Sequence, residues 1–355
     1  MMESNNASIF GIESTAERVV WACYCTFVLI SSIVGNAIIL VASIRHNALR
    51  LNHFLVTLME QIAVCDLITS LVYALPMAVS LVANKWVLGD ALSYIAVYLQ
   101  YIFYPAGVLF VAGLTTSKVF ILWWPASTMV FLKKSKIYIV GAIWTISLYF
   151  PVAFLVVDKD NIYFDYKIYS PLYNITDKPW DKLKPAGLTI LSIVPNLLVI
   201  VSTAATLGMI VKSRNVSKKS GGSVRWQGVT AVLLTAIVFC VSTLPYTAYT
   251  LIISPFVEEN PPGILKIHYK RYSAFLSLFN LMANSYIYTY TIASYRAFLR
   301  SRIRLMLLCL FPDRRVTYSS SRRQGGIGLT SYAVGNDLKT TRESSRAPRA
   351  ENCDF

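Results

Sequence analysis

The chain has 355 residues, of which 55% are hydrophobic and 14% are charged, and its formal net charge is +15. A soluble globular domain carries roughly 25% charged residues, so water is not the solvent for most of this surface. The basic residues lie between and after apolar segments, which favours membrane topology and attraction to anionic lipid over nucleic-acid binding. The composition therefore predicts an integral membrane protein.

Seven apolar segments follow one another along the chain. Each can cross a hydrocarbon core of about 30 Å, which takes roughly 20 helical residues. They lack the short alternating pattern of barrel strands, so we predict an all-α membrane protein, a bundle of seven transmembrane helices with a short amphipathic eighth helix. The segments are residues 19–44, 54–82, 88–124, 137–157, 187–210, 229–253 and 274–294.

These segments divide the chain into four predicted regions. Residues 1–18 form an extracellular N-terminal segment, and residues 19–295 form the seven-transmembrane domain. The first apolar run follows an acidic stretch and exceeds the apolar region of a signal peptide, so we interpret it as a retained helix. Residues 296–310 form a basic juxtamembrane helix, and residues 311–355 form a polar, disordered cytoplasmic tail.

The basic residues near the ends of the spans predict the orientation. Cytoplasmic loops carry an excess of Lys and Arg, whereas the loops on the opposite side of this chain mix acids and bases. The N-terminus is therefore expected outside the cell and the C-terminus in the cytoplasm, with the chain in the plasma membrane. The basic residues assigned to the inner loops after the first, third and fifth spans are Arg45, Arg50, Lys118, Lys133, Lys134, Lys136, Lys212, Arg214, Lys218, Lys219 and Arg225.

Single polar or helix-distorting residues recur on the spans, where such groups are costly unless partnered. In chain order they are Asn36, Asp66, Trp144, Pro195, the run Phe239–Pro245, and Asn284 with Tyr288. This order resembles the class A, or rhodopsin-like, G-protein-coupled receptors over nearly all of residues 19–309. The run at 239–245 is similar to the family's F-x-x-C-W-x-P motif, and that at 284–288 to N-P-x-x-Y.

The resemblance implies a receptor rather than an enzyme. An extracellular ligand would bind among the outer halves of the helices, and the receptor would signal to a heterotrimeric G protein, with arrestin and receptor kinases as further partners. The three histidines are expected on different sides of the membrane, so a catalytic or metal site built from all three is excluded. A transporter is disfavoured because the chain has no internal repeat and few charges at mid-membrane.

The expected G-protein contacts depart from the family pattern. Ser117, Lys118 and Val119 stand where the family has D-R-Y, and lysine keeps the charge of arginine but loses its planar fork. Arg225 stands where many members carry an acid that pairs with that arginine. Tyr288 completes the predicted coupling residues. The alternative is therefore a receptor-like protein that has lost G-protein coupling and acts as a heteromer partner, a ligand sink or an arrestin-type signaller.

A polar cluster is predicted around Asp66. Asn280 and Asn284 are four residues apart and share one side of the seventh helix, and the resemblance implies that they and Asn36 surround the carboxylate. One interpretation is a sodium ion near Asp66 that is released on activation, since hard cations prefer several oxygen ligands. The other is a structural network without a bound ion. No other cofactor is expected.

Residues with one aromatic and one polar end mark the predicted ligand site. Two absences narrow the ligand class: Gln100 replaces the aspartate of amine receptors, and Leu278 replaces the retinal lysine of opsins. By exclusion, a neutral, lipid-like or peptide ligand is expected. The same residues would also suit the membrane interface. The predicted ligand-binding residues are Gln100, Tyr101, Tyr104, Tyr246 and Tyr249.

The remaining predictions concern covalent modification. Asn6 and Asn174 lie in N-x-S/T sequons on the expected outer side and are candidate glycosylation sites. Cys309 ends the basic helix, where it is either palmitoylated or an ordinary cysteine of an amphipathic face. Ser93 stands at the family's third-helix cysteine position, and the second outer loop has no cysteine, so no disulfide is expected.

Overall fold

The computed structural model describes residues 14–45, 53–155, 162–165, 168–173, 183–220, 227–249 and 264–310. Within these ranges the chain forms long helices and one antiparallel hairpin. The helices are α1 (Thr15–Arg45), α2 (His53–Thr69 and Leu75–Ala83, joined by a π-helical turn at Ser70–Ala74), α3 (Gly89–Trp123), α4 (Pro125–Leu155), α5 (Leu183–Ser220), α6 (Gln227–Ala248), α7 (Ile264–Thr291) and α8 (Ala293–Leu310). The strands are β1 (Ile162–Asp165) and β2 (Ser170–Tyr173).

Five described helices are long and apolar enough to cross a membrane by length and composition: α1, α2, α3, α5 and α6. In the other two helices of the predicted spans, lysines lie in the first half of α4, and Lys266, Lys270 and Arg271 lie in the first turns of α7. Every interior backbone group of a helix is bonded within the helix, so this architecture suits a hydrocarbon environment.

Prolines distort several helices. Pro105, Pro195 and Pro245 lie inside α3, α5 and α6, where each removes a backbone hydrogen bond and favours a kink. α2 contains Pro76, whose ring crowds the carbonyl of Val72. The preceding turn, Ser70–Ala74, is therefore a wider π-helical turn. The Leu75 amide there donates to the carbonyl of Ser70. This widened turn carries the buried Tyr73.

The apolar core has two main parts. One joins α2, α3 and α6 around Leu58, Phe110 and Phe239. The other lies at the end of the bundle that carries the hairpin, which we call the hairpin end, and includes Met77 and Phe275. Residues up to Leu299 pack as one unit, and the last part of α8 belongs to a second unit that begins at Arg300.

The helices and the apolar segments do not end at the same residues. α4 begins at Pro125 and α7 at Ile264, before the apolar runs predicted to begin at residues 137 and 274. The assignment of Lys118 to a loop is wrong, because the residue lies inside α3 and is only 5% exposed. It is therefore not a loop charge, and the predicted orientation depends on the other basic residues.

Candidate ligand pocket and polar core

The hairpin is tied to the bundle by side chains of β1 and of the turn that joins its strands. Asp165 pairs with Ser170 in the antiparallel register, and the hairpin packs against α2 and α3. The hydroxyl of Tyr169, in the turn, donates to Oδ1 of Asn84 at 3.0 Å. The ring centres of Phe164 and Trp86 lie 5.7 Å apart. Phe164 and Tyr169 are both buried, and their contacts hold the hairpin over this end of the bundle.

An ion pair joins the hairpin to α7. Lys270 Nζ lies 2.5 Å from Oδ2 of Asp165, and the two side chains are only 12% and 6% exposed. The same ammonium group lies 5.9 Å from the centre of the Tyr249 ring, a cation–π distance. Tyr249 also contacts Tyr269, whose hydroxyl donates to the carbonyl of Pro245 at 3.2 Å. The pair therefore links β1, α6 and α7.

Tyrosines from three helices converge beneath the hairpin. Tyr246 of α6 lies within range of electrostatic coupling to Tyr73 of α2, to Tyr101 and Tyr104 of α3, and to Asp165. The Tyr73 side chain is 5% exposed, and its hydroxyl oxygen is buried without a hydrogen-bond partner among the described residues. A phenol can both donate and accept a hydrogen bond, and its ring packs against apolar groups. This group of four, which we call the tyrosine cluster, can recognise a polar group on a mainly apolar ligand.

The structure brings most of the predicted ligand-binding residues together. Tyr101, Tyr104 and Tyr246 belong to the tyrosine cluster, and Tyr249 lies beside Lys270 at its edge. Gln100 is half-buried on α3, in the same helical turn as Tyr101. The predicted ligand set does not contain Tyr73, which lies in the widened turn before Pro76.

Asp66 lies in a polar network at the middle of the bundle. Nδ2 of Asn284 donates to Oδ2 of Asp66 at 3.0 Å, which joins α7 to α2. Nδ2 of Asn36 donates to the Leu281 carbonyl at 2.9 Å and to the Ser32 hydroxyl at 3.0 Å. These bonds link α1, α2 and α7. The network contains Asn36, Asp66, Asn284 and Ser32.

Several amide oxygens of this region are directed into the interior. The Oδ1 atoms of Asn36, Asn280 and Asn284 are buried without a hydrogen-bond partner among the described residues. Amide and carboxylate oxygens suit a hard cation or ordered water, and both need several such groups. Asn280 is 7% exposed, and within the described residues it makes no hydrogen bond to Asp66. The chemistry of the donor set is therefore compatible with either interpretation of the network.

Two further contacts hold the bundle, and the first involves Trp144, which the sequence analysis singled out. Nε1 of Trp144 donates to Oε1 of Gln61 at 2.8 Å, and the Trp144 ring meets that of Phe110 edge-on at 5.7 Å. A Cβ atom added at Gly35 would lie 3.0 Å from Cβ of Ser285, so glycine allows α1 and α7 to approach closely. The Gln61 partner had no signal in the sequence.

A model of the seven-transmembrane receptors of the rhodopsin family matches residues 35–288, a range that contains the whole polar network except Ser32. The chain belongs to this family. Its members are receptors and not enzymes, and they cross the membrane several times, so these predictions are confirmed.

Two known proteins show how distant this receptor is from its relatives. A QRFP-like peptide receptor of Branchiostoma floridae is 20% identical over 252 residues, which cover 67% of this chain and 65% of the relative. The match therefore spans less than two thirds of that protein's length. The crystal structure of squid rhodopsin aligns with a TM-score of 0.68 at 12% identity, over 87% of this chain and 91% of that one. The second likeness confirms the fold.

The end of the receptor opposite the hairpin, which we call the Lys118 end, contains the departures from the family pattern. Ser117, Lys118 and Val119 are all buried, at 7%, 5% and 7% exposure. A buried ammonium group is costly unless it is partnered, and Lys118 has an interaction within the described residues. The Tyr288 hydroxyl lies near that of Thr235, but neither makes a hydrogen bond of normal geometry. The four predicted coupling residues are thus packed inside the bundle.

Some predicted residues lie outside the described part of the receptor. Asn6, Asn174 and Arg225 are among them, and Cys309 is described only by its place in α8. Within the described residues, Cys23, Cys25, Cys65 and Cys240 are free thiols. Glycosylation, lipid attachment and the absence of a disulfide therefore stay predictions.

Proposed function

We propose that this receptor lies in the plasma membrane with its N-terminus outside, binds an extracellular ligand beneath the hairpin, and signals to heterotrimeric G proteins. The observation that carries the proposal is the tyrosine cluster. It gathers side chains from α2, α3 and α6 at one point, and the Tyr73 hydroxyl there has no partner among the described residues. A buried, unpaired hydroxyl costs about 1–3 kcal/mol, which a ligand hydrogen bond would recover.

A peptide is the ligand class that this surface suits best. Peptide groups supply the donors and acceptors that phenol hydroxyls need, and apolar side chains can pack on the tyrosine rings. The named relative is a peptide receptor, which agrees with this preference. Gln100 offers no charge to an amine ligand. A lipid-like ligand would pack on the rings but leave the Tyr73 hydroxyl without a partner.

In this proposal the polar network couples ligand binding to a change of structure at the Lys118 end. It joins α1, α2 and α7 at the middle of the bundle, so a shift of α7 must break or rearrange bonds at Asp66 and Asn36. A ligand changes the population of two states only if it binds one of them more tightly. In this proposal the ligand favours the state in which Ser117, Lys118, Val119 and Tyr288 become accessible to the G protein.

We interpret the network itself as structural rather than as an obligatory sodium site. Its hydrogen bonds join protein groups directly, and Gly107 of α3, which faces Cys65 of α2, has no hydroxyl. Thermal unfolding midpoints measured in sodium chloride and in choline chloride should then coincide. A midpoint that rises with sodium in the wild type, but not in Asp66→Asn, would contradict this interpretation.

The second candidate function is a receptor that has lost G-protein coupling. The observation that favours it is the burial of Lys118 in place of an arginine, because the compact ammonium group cannot make the paired hydrogen bonds of a guanidinium. Such a receptor would still bind its ligand beneath the hairpin. Recruitment of arrestin by a ligand that causes no nucleotide exchange would be its signature.

A screen of short peptides on cells that express the receptor with each class of G protein tests the ligand site. Once a peptide raises nucleotide exchange or recruits arrestin, Tyr73→Phe should weaken its binding about fivefold, the effect of one hydrogen bond of about 1 kcal/mol. Tyr290→Phe removes the same atom from a side chain that is 77% exposed and is the matched control. Equal affinity of wild type and Tyr73→Phe would exclude this hydroxyl from the ligand site.

The modification sites also test the orientation. We propose glycans at Asn6 and Asn174 and a thioester-linked acyl chain at Cys309. Glycosidase treatment should increase the mobility of the wild type, and Asn6→Gln with Asn174→Gln should abolish the change. Asn215 lies in a sequon on the side expected in the cytoplasm, so a glycan on Asn215 would show that the predicted orientation is wrong.

A further inference from the structure

A groove runs along the outside of the bundle at its hairpin end, between α1 and the last part of α2. Its volume is about 530 Å³, and its lining is mainly apolar. Leu81 and Ala22 form its floor, and both are buried. Phe27 and Val82 stand along its sides at 58% and 78% exposure. In a membrane-spanning receptor, this surface faces lipid rather than water.

The groove has a polar end. Thr15 and Arg18 line it near the start of α1, and the Arg18 guanidinium donates to the Thr15 hydroxyl at 3.2 Å. A guanidinium carries five N–H donors, so this bond leaves donors for an anion. The neighbouring carboxylate of Glu17 is turned toward α7, where it lies 3.6 Å from Nη1 of Arg271. It also accepts a hydrogen bond from Nε1 of Trp21, one turn along α1, at 3.3 Å. The charge that faces the groove is therefore positive.

The length of the groove matches one leaflet of a bilayer. Its lining on α1 extends from Thr15 to Ile30. With a rise of about 1.5 Å per residue, the helix from Arg18 to Ile30 spans roughly 18 Å, against about 15 Å for half of the hydrocarbon core. Arg18 lies close to the beginning of the span, at the depth of the lipid headgroups. The apolar part then follows the whole path of an acyl chain.

We propose that this groove binds a membrane phospholipid, with the phosphate on Arg18 and one acyl chain along Phe27, Ile30 and Val82. Arginine and phosphate form charge-assisted hydrogen bonds in a fixed planar geometry. A sterol carries a neutral hydroxyl and would use only the apolar lining. The groove is separate from the tyrosine cluster, so lipid binding does not depend on the proposed ligand or on G-protein coupling.

Native mass spectrometry of the purified full chain in detergent tests the proposal. The receptor is incubated with equal amounts of dioleoyl phosphatidylcholine, dioleoyl glycerol and cholesterol, and the retained molecules are counted. Dioleoyl glycerol has the same chains without the phosphate, so phosphatidylcholine should be retained preferentially. Arg18→Gln should lower its retention about tenfold, the effect expected from losing a hydrogen bond to a charged group.

A second substitution tests the apolar part. Cys23 is an exposed residue of the lining, and Cys23→Trp should fill the groove and displace phosphatidylcholine and dioleoyl glycerol alike. Val82→Trp fills it from α2 if Cys23→Trp alters the unfolding midpoint. Lys85→Gln and Val20→Trp are matched controls, because both residues are exposed near the same end but do not line the groove.

Two results would overturn the proposal. The first is equal phosphatidylcholine retention by the wild type, Arg18→Gln and the groove-filling variants, which would mean that lipid covers the surface without selection. The second is preferential retention of cholesterol that falls in Cys23→Trp but not in Arg18→Gln, which would identify a sterol groove. Loss of phosphatidylcholine in both variants, with both controls unchanged, supports a phospholipid site.

Discussion

The middle of the bundle and the Lys118 end bury polar groups in different ways. At the middle, Asn36, Asp66 and Asn284 are joined by hydrogen bonds between three helices, and all three residues match the family pattern. At the Lys118 end, a lysine is buried where the family has an arginine. The first region must satisfy its own buried groups for the helices to pack. In the proposed function the second must also fit a G protein, and Ser117, Lys118 and Val119 there depart from the family pattern.

This difference predicts that stability and signalling depend on different regions. If the network serves helix packing, its loss should destabilise the receptor, whereas changes at the Lys118 end should alter coupling and leave stability nearly intact. The hairpin end should give a third response, a local change in mobility. The following substitutions test this separation.

The largest effect is expected at the network. Asn284→Leu removes the donor to Asp66 and leaves a buried carboxyl group without that partner, which should lower the free energy of unfolding by about 3 kcal/mol. Chemical unfolding in detergent measures the change. The double variant Asp66→Leu with Asn284→Leu should recover part of it, because both partners are then apolar. Additive losses in the double variant would contradict a direct interaction.

Replacing two glycines by alanine should change stability by smaller amounts, and with opposite signs. At Gly35, Cβ would meet Ser285, and Gly35→Ala should destabilise the receptor by about 1–2 kcal/mol. At Gly141, Cβ would have no neighbour within 4 Å, so Gly141→Ala should stabilise the helix by about 0.5–1 kcal/mol. The thermal unfolding midpoint should fall in Gly35→Ala and rise in Gly141→Ala. Ser285→Gly should rescue Gly35→Ala, and failure to do so would place the strain elsewhere.

The effect of the hairpin ion pair should be local. Asp165→Asn removes the charge that faces Lys270, so the amides of residues 162–173 should exchange with deuterium about tenfold faster, as expected for a loss of about 1.4 kcal/mol. Amides of α2 should be unchanged. Lys85→Gln at the same end is the control. Uniform acceleration along the whole receptor would instead mean that the pair stabilises the global fold.

The sequence was sufficient for the fold, for a physical reason. Membrane spans must be apolar, so Asp66 and Asn284 were conspicuous, and the family resemblance implied that they lie together. Contacts between residues far apart had no such signal. Asp165 and Lys270 are 105 residues apart, and neither is unusual in a polar segment.

The ends of α7 show the same limit. Hydropathy marks where the chain meets lipid and not where a helix ends, so the charged first turns of α7 were assigned to a loop. In the structure Lys270 pairs with Asp165 and Arg271 lies near Glu17, and these partners allow the helix to begin at Ile264. The inward turn of Tyr73 was equally hidden, since it follows from the wide turn at Ser70–Ala74.

The most direct test of the central claim compares nucleotide exchange for wild type, Lys118→Arg and Lys118→Ala with each class of G protein, using a peptide that binds beneath the hairpin. In the proposed function Lys118 supplies the positive charge of the coupling site, so the wild type should stimulate exchange in at least one class and Lys118→Ala should lose most of it. Peptide affinity should be the same in all three. A wild type that recruits arrestin but stimulates no exchange, beside an active Lys118→Arg, would contradict the account and identify an uncoupled receptor.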